Sequence, residues 1–117
     1  MVVSDYRVNL KAVQEAYGLK GEALLSLKKY KEAGVFFRGM SAGTKGAAAG
    51  ALYYAALADI LDDNLHNVMQ ELKQYASAAG SIPADQNARL SEALEKSTDK
   101  EKAAQIKAFI DEKLPKS

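Results

Sequence analysis

Gly39-Met40-Ser41-Ala42-Gly43-Thr44-Lys45-Gly46 is the stretch of this chain that comes nearest to a phosphate-binding loop. It follows the apolar run Gly34-Val35-Phe36-Phe37 and precedes an alanine-rich, helix-prone segment, the order expected around a nucleotide. A P-loop needs Gly-x-x-x-x-Gly-Lys-Ser/Thr, so that glycine amides cradle phosphates, the lysine reaches them and the hydroxyl binds magnesium. Here Thr44, Lys45 and Gly46 follow Gly39, so the second glycine and the hydroxyl both miss their places. The stretch reads as a turn between helices. His66 is the only histidine, and a hydrolase would have to be built on it. No Gly-x-Ser-x-Gly elbow and no cysteine accompany it. Asp59, Asp62, Asp63 and His66 lie close enough in sequence to suggest a metal, but they lack the calcium-loop spacing and its closing glutamate. Helix capping accounts for Asp62 and Asp63, and His66 reads as a surface residue. Nor do two carboxylates pair for acid–base work. The expectation is a protein without catalytic residues, metal or cofactor.

Composition points the same way. The 117 residues make one domain, 48% apolar and 26% charged, with no signature of disorder. Net charge is +1, from 16 basic and 15 acidic residues spread along the chain, which argues against nucleic acid as a partner. The densest basic cluster, Lys28, Lys29 and Lys31, is followed at once by Glu32 and reads as a solvated helix end. Without cysteine, disulfides and thiolate sites are excluded. No apolar run approaches the roughly 18 residues that a membrane span requires. The opening Met1-Val2-Val3-Ser4 lacks the pattern of a secretory signal, so the expected compartment is the cytoplasm. A soluble piece of a longer, membrane-anchored protein is the alternative.

Almost everything between the glycines and the two prolines, Pro83 and Pro115, repeats at the helical period. Ser4 or Asp5 caps a first helix to about residue 29, with Val13, Ala16, Tyr17, Leu24 and Leu27 inward. A second, about 30 to 40, carries Ala33, Phe36, Phe37 and Met40; Gly39, Gly43 and Gly46 then break the chain. A third, about 47 to 61, carries Leu52, Tyr53, Leu57, Ile60 and Leu61. Asp62, Asp63 and Asn64 cap a fourth to about residue 79, with Leu65, Val68, Leu72 and Tyr75 inward. A fifth, about 84 to 96, has Ala88, Leu90, Ala93 and Leu94. Thr98 or Asp99 caps a sixth, striped by Ala103, Ile106, Ile110 and Leu114. The fold class is all-α, six helices in three antiparallel hairpins joined by short turns.

Residues 17 to 37, Tyr17 through Phe37, carry a repeat signature. They resemble a tetratricopeptide repeat. Tyr17 stands where that family's aromatic opens the first helix, Gly21 where its glycine lets the helices approach, and Leu24 replaces its tyrosine. Tyr30 takes the aromatic place after the turn, Ala33 the small place at the closest contact, and Phe37 the aromatic place four residues on. Lys20 departs from the usual leucine and Met40 from the usual alanine, and no proline closes the unit. Leu52, Ala56, Leu65, Val68, Leu72 and Tyr75 repeat the pattern about 35 residues later. One domain, 1–117, then holds a repeat at about 14–46, another at 47–80 and a divergent or capping hairpin at 84–114, stacked as a short right-handed solenoid.

The resemblance implies a concave groove lined by the first helices, which takes a peptide or an amphipathic helix of a protein partner. By helix phase the groove presents Glu15, Gly18, Glu22, Leu25 and Ser26 from the first unit and Tyr53, Leu57, Ile60 and Leu61 from the second. Gly18 and Glu22 occupy the places where the family's carboxylate clamp has lysine and asparagine, so that clamp is not expected. An apolar groove with an acidic lip suits a somewhat basic helix. Of the adjacent Tyr53 and Tyr54 only one can point inward, which leaves the other for a partner. Related readings are a small secretion-type chaperone and the repeat domain of a bacterial envelope or translocon-associated protein. A reading of another class is a structural part that dimerises through its last hairpin.

Overall fold

The computed structural model describes residues 18–43 and 48–116. They form six helical segments: α1 (18–26), α2 (Tyr30–Gly43), α3 (Ala48–Leu61), α4 (Val68–Ala79), α5 (Ala84–Glu95) and α6 (Lys100–Lys113). There is no strand among the described residues, only an isolated bridge between Ile82 and Lys116 in which the Ile82 N–H donates to the Pro115 carbonyl. No described helix is long and apolar enough to cross a membrane.

The helix ends explain where the sequence misleads. α1 stops after residue 26, not near 29, because Lys28 turns left-handed at φ 59°. The Lys28 N–H then reaches the Leu25 carbonyl and the Lys29 N–H the Leu24 carbonyl, a Schellman closure made without glycine. Leu27, expected inside, falls in this turn and is exposed, while Leu25 is buried in its stead. About 35 residues later Asp63 does the same at φ 57°: its N–H meets the Ile60 carbonyl and the Asn64 N–H meets that of Asp59. Asp62, Asp63 and Asn64 therefore end α3 and do not cap α4. That helix starts at Val68, after Asn67. Asp99 caps α6 by accepting from the Lys102 N–H at 3.1 Å. Gly39 does not break the chain; α2 runs through it to Gly43.

Consecutive helices pair into hairpins, and the hairpins stack in two layers. α3 packs on α2, α4 and α5, while α6 packs on α5 and α4. The first helices lie in one layer and the second helices in the other. The smallest dimension, 22 Å, is the thickness of two helices. Ala33, Phe37, Leu52, Tyr53, Leu57, Ile60, Leu65, Val68, Leu72, Tyr75, Leu90, Ala93, Leu94, Ala103, Ile106, Ile110 and Leu114 are buried, as their spacing predicts. Leu61 and Phe36 are half-buried, and Ala88 is exposed because Asn87 takes the inward place on α5. Ser4, Asp5, Val13, Ala16 and Tyr17 lie outside the described residues.

Gly21 is where the first hairpin closes. A Cβ there would sit 2.4 Å from the Phe37 ring, so only glycine lets α1 reach this depth on α2. Ala33 is fully buried at the start of α2, and Tyr30 and Leu24 pack half-buried against the same core.

Candidate functional site

Two clusters of polar side chains stand out from this framework. The first lies on the layer of first helices. The Arg89 guanidinium of α5 grips the Glu22 carboxylate of α1 with two bonds, 2.7 and 2.9 Å, across 67 residues of sequence. Tyr54 of α3 donates its hydroxyl to the same carboxylate at 2.8 Å. Both members of the ion pair are nearly half exposed, so water reaches it. Arg89 first, against some burial, and then Tyr54 hold the Glu22 carboxyl below its usual range. Glu22 in turn holds Arg89 firmly protonated.

Aromatic rings carry this cluster down into the core. Tyr53 and Tyr54 meet edge to face at 5.0 Å, Tyr54 stacks on Phe37 at 5.0 Å, and Phe37 meets Phe36 at 4.9 Å. The Lys20 ammonium sits 4.4 Å over the Phe36 ring. Burial pushes the Tyr53 hydroxyl up to about 12 against the opposing charge of Arg89. Burial, then the bond to Glu22, takes Tyr54 to about 12 as well. Both tyrosines are therefore neutral hydroxyls, and neither is a ready base.

The second cluster sits where α2, α3 and α4 meet. Nη1 of Arg38 contacts both oxygens of Asp59, at 3.0 and 2.8 Å. Gly34 makes room for the pair: a Cβ there would lie 2.9 Å from Asp59 Oδ1 and 3.1 Å from Arg38 Nη1. Glu71 of α4 completes the group 3.9 Å from the same nitrogen. Asp59 and Glu71 are each 5% exposed. A hollow of about 260 Å³ beside them is lined by Arg38, Leu52, Asn67, Gln70, Glu71 and Gln74.

The residues expected to line a groove divide sharply. Glu22 and Ser26 are on the surface. Leu25, Tyr53, Leu57 and Ile60 are 8%, 1%, 2% and 2% exposed, so the expectation that a partner touches them is corrected. α3 is enclosed by α2, α4 and α5, which leaves it almost no outer face. Tyr54, the other half of the tyrosine pair, is half-buried and engaged with Glu22. Glu15 lies outside the described residues, as do Thr44, Lys45 and Gly46 of the phosphate-like stretch. The acids near His66 scatter: Asp59 goes to Arg38, and Asp63 accepts from the Ser97 hydroxyl and the Thr98 N–H and hydroxyl. His66 is exposed.

Sequence reasoning missed Arg89, whose partner is too distant for any periodicity to join them. Asp59 gave a signal in the wrong register, a lone acid inside the apolar run Ala55–Leu61, which marks a buried pair rather than a metal. The comparisons with protein-family models, with curated proteins and with solved structures each returned no match.

Proposed function

We propose that this chain is a non-enzymatic interaction module of tetratricopeptide-like plan, which binds a peptide or amphipathic helix of a protein partner along the face shared by α1 and α5. The observation that carries this reading is Leu19, 73% exposed, three residues before Glu22 and seven before Ser26 on one stripe of α1. A large apolar side chain set beside an accessible, bidentate ion pair offers a helix both an anchor and a charge to read. The recurrence of the left-handed turn at Lys28 and Asp63 supports the repeat plan.

The test places a photo-crosslinking amino acid at Ser26, and a control one at the exposed Lys73 of α4. One partner captured from Ser26, and lost in Leu19→Asp with helicity unchanged, is the expected result. Capture from position 73 alone would place binding on the other layer and end this reading.

A second reading rests on the outer hollow of the last hairpin, about 260 Å³ and bordered by Leu94, Ala103 and Ala104. Two copies joined there would make the chain a self-associating structural part. Sedimentation velocity at micromolar concentration decides it: a dimer abolished by Ala104→Glu favours this alternative, and a monomer excludes it.

A further inference from the structure

Arg38, Asp59 and Glu71 carry two carboxyl groups for one cation. Asp59 has the closer claim, because Arg38 contacts both of its oxygens at hydrogen-bonding distance. Glu71 stands 3.9 Å from the guanidinium, too far for a hydrogen bond, and both of its oxygens are buried with no hydrogen-bond partner among the described residues. A bare carboxylate in that position would lose its hydration and gain only the attraction of a guanidinium already bound by Asp59. A neutral acid would gain a donor hydrogen, and Asp59, held on the same Arg38 nitrogen, is the acceptor it would meet.

Among the described residues the surrounding helices offer nothing else to neutralise a charge. α2 contributes Arg38 and α3 contributes Asp59. On α4 itself the neighbours of Glu71 at three and four positions are Asn67, Val68, Gln74 and Tyr75, none charged at neutral pH. α6, packed on α4, turns Ala103, Ile106 and Ile110 inward. The hollow over Asn67, Gln70 and Gln74 supplies a path by which water can reach the acid.

We propose that Glu71 is a proton-controlled latch: as the neutral acid it donates to Asp59 and holds α4 against α2 and α3, and its ionisation draws water through the hollow and loosens α4. Burial, then the hydrogen bond to Asp59 and its charge, pushes Glu71 up to about 8 from the ordinary 4.5, the direction that the geometry requires. A group raised in the closed form stabilises it fully below its open-form value. That contribution is lost as pH climbs toward the closed-form value. The affected window therefore runs from about 4.5 to about 8, and opening becomes easier by up to about tenfold per pH unit within it.

The experiment is a carbon-13 titration of the glutamate side-chain carboxyls of the intact chain, paired with amide hydrogen exchange of α4 corrected for intrinsic rates. The expected result is one carboxyl, absent in Glu71→Gln, that titrates well above the other glutamates. α4 amides should then lose protection by about tenfold or more between pH 5 and pH 8, while Glu71→Gln, neutral at every pH, shows no such slope. The proposal is overturned if Glu71 titrates with the other glutamates, if wild-type α4 protection is flat, or if Glu71→Gln keeps the slope. The wild-type titration alone decides the first point should the variant fold poorly.

Discussion

At the scale of single residues, the same substitution has opposite signs five positions apart on α2. Gly39 is exposed in the helix interior with open space around it, so Gly39→Ala removes backbone freedom from the unfolded chain and adds about 0.5–1 kcal/mol of stability. Gly34→Ala pushes a methyl group into the Arg38–Asp59 pair and costs about 1–3 kcal/mol. Urea denaturation of the two variants measures both. A shared sign would mean that the pair does not hold its position. The sequence shows both residues as glycines and nothing more, because what separates them is a side chain 25 residues away in α3.

Elements were legible to the extent that their apolar stripes were. The inward apolar residues of α4 and α6 follow directly from spacing, since each helix has one face against the core, whereas the buried Glu71 gave no such signal. The helix ends were read poorly for a physical reason. The turns at Lys28 and Asp63 adopt a conformation that glycine marks in most sequences, and neither position is glycine. Lys28→Gly relieves the left-handed strain at no other loss and should raise stability by about 0.5–1 kcal/mol. Asp63→Gly relieves the same strain but surrenders the bonds to Ser97 and Thr98 that tie the α3–α4 turn to the α5–α6 turn. Ser97 is buried, so its hydroxyl proton loses its acceptor, while the oxygen keeps only the Asp99 N–H. Thermal unfolding should rise for the first variant and fall for the second.

At the scale of the whole molecule, Glu22 and Arg89 join the first described helix to the fifth. The pair is exposed enough to be screened, so a double-mutant cycle with Glu22→Ala and Arg89→Ala should give a coupling of about 0.5–1 kcal/mol that shrinks in salt. No local pattern could disclose this contact, and the candidate face was legible only through α1. Its expected apolar half proved to be core, because the middle helix of a three-hairpin stack is enclosed on most sides. Two acids also shape the stability of the chain against pH in opposite senses. Glu22, lowered in the fold, contributes above the ordinary carboxylate range and loses its contribution as pH falls below about 4.5. Glu71, raised in the fold, contributes at low pH and loses its contribution between about 4.5 and about 8. Urea midpoints should therefore peak in mildly acidic solution and decline on both sides, and Glu71→Gln should remove the decline on the alkaline side.

The chain has six tyrosines and no tryptophan, so its ultraviolet emission comes from phenol rings alone. A phenol that donates to a carboxylate emits weakly, because loss of the proton in the excited state competes with light. Tyr54 is such a ring, and its emission should stay weak for as long as Arg89 holds Glu22 in place beneath its hydroxyl. Any partner that pulls Glu22 aside should brighten the protein, a built-in optical signal of occupancy that needs no dye.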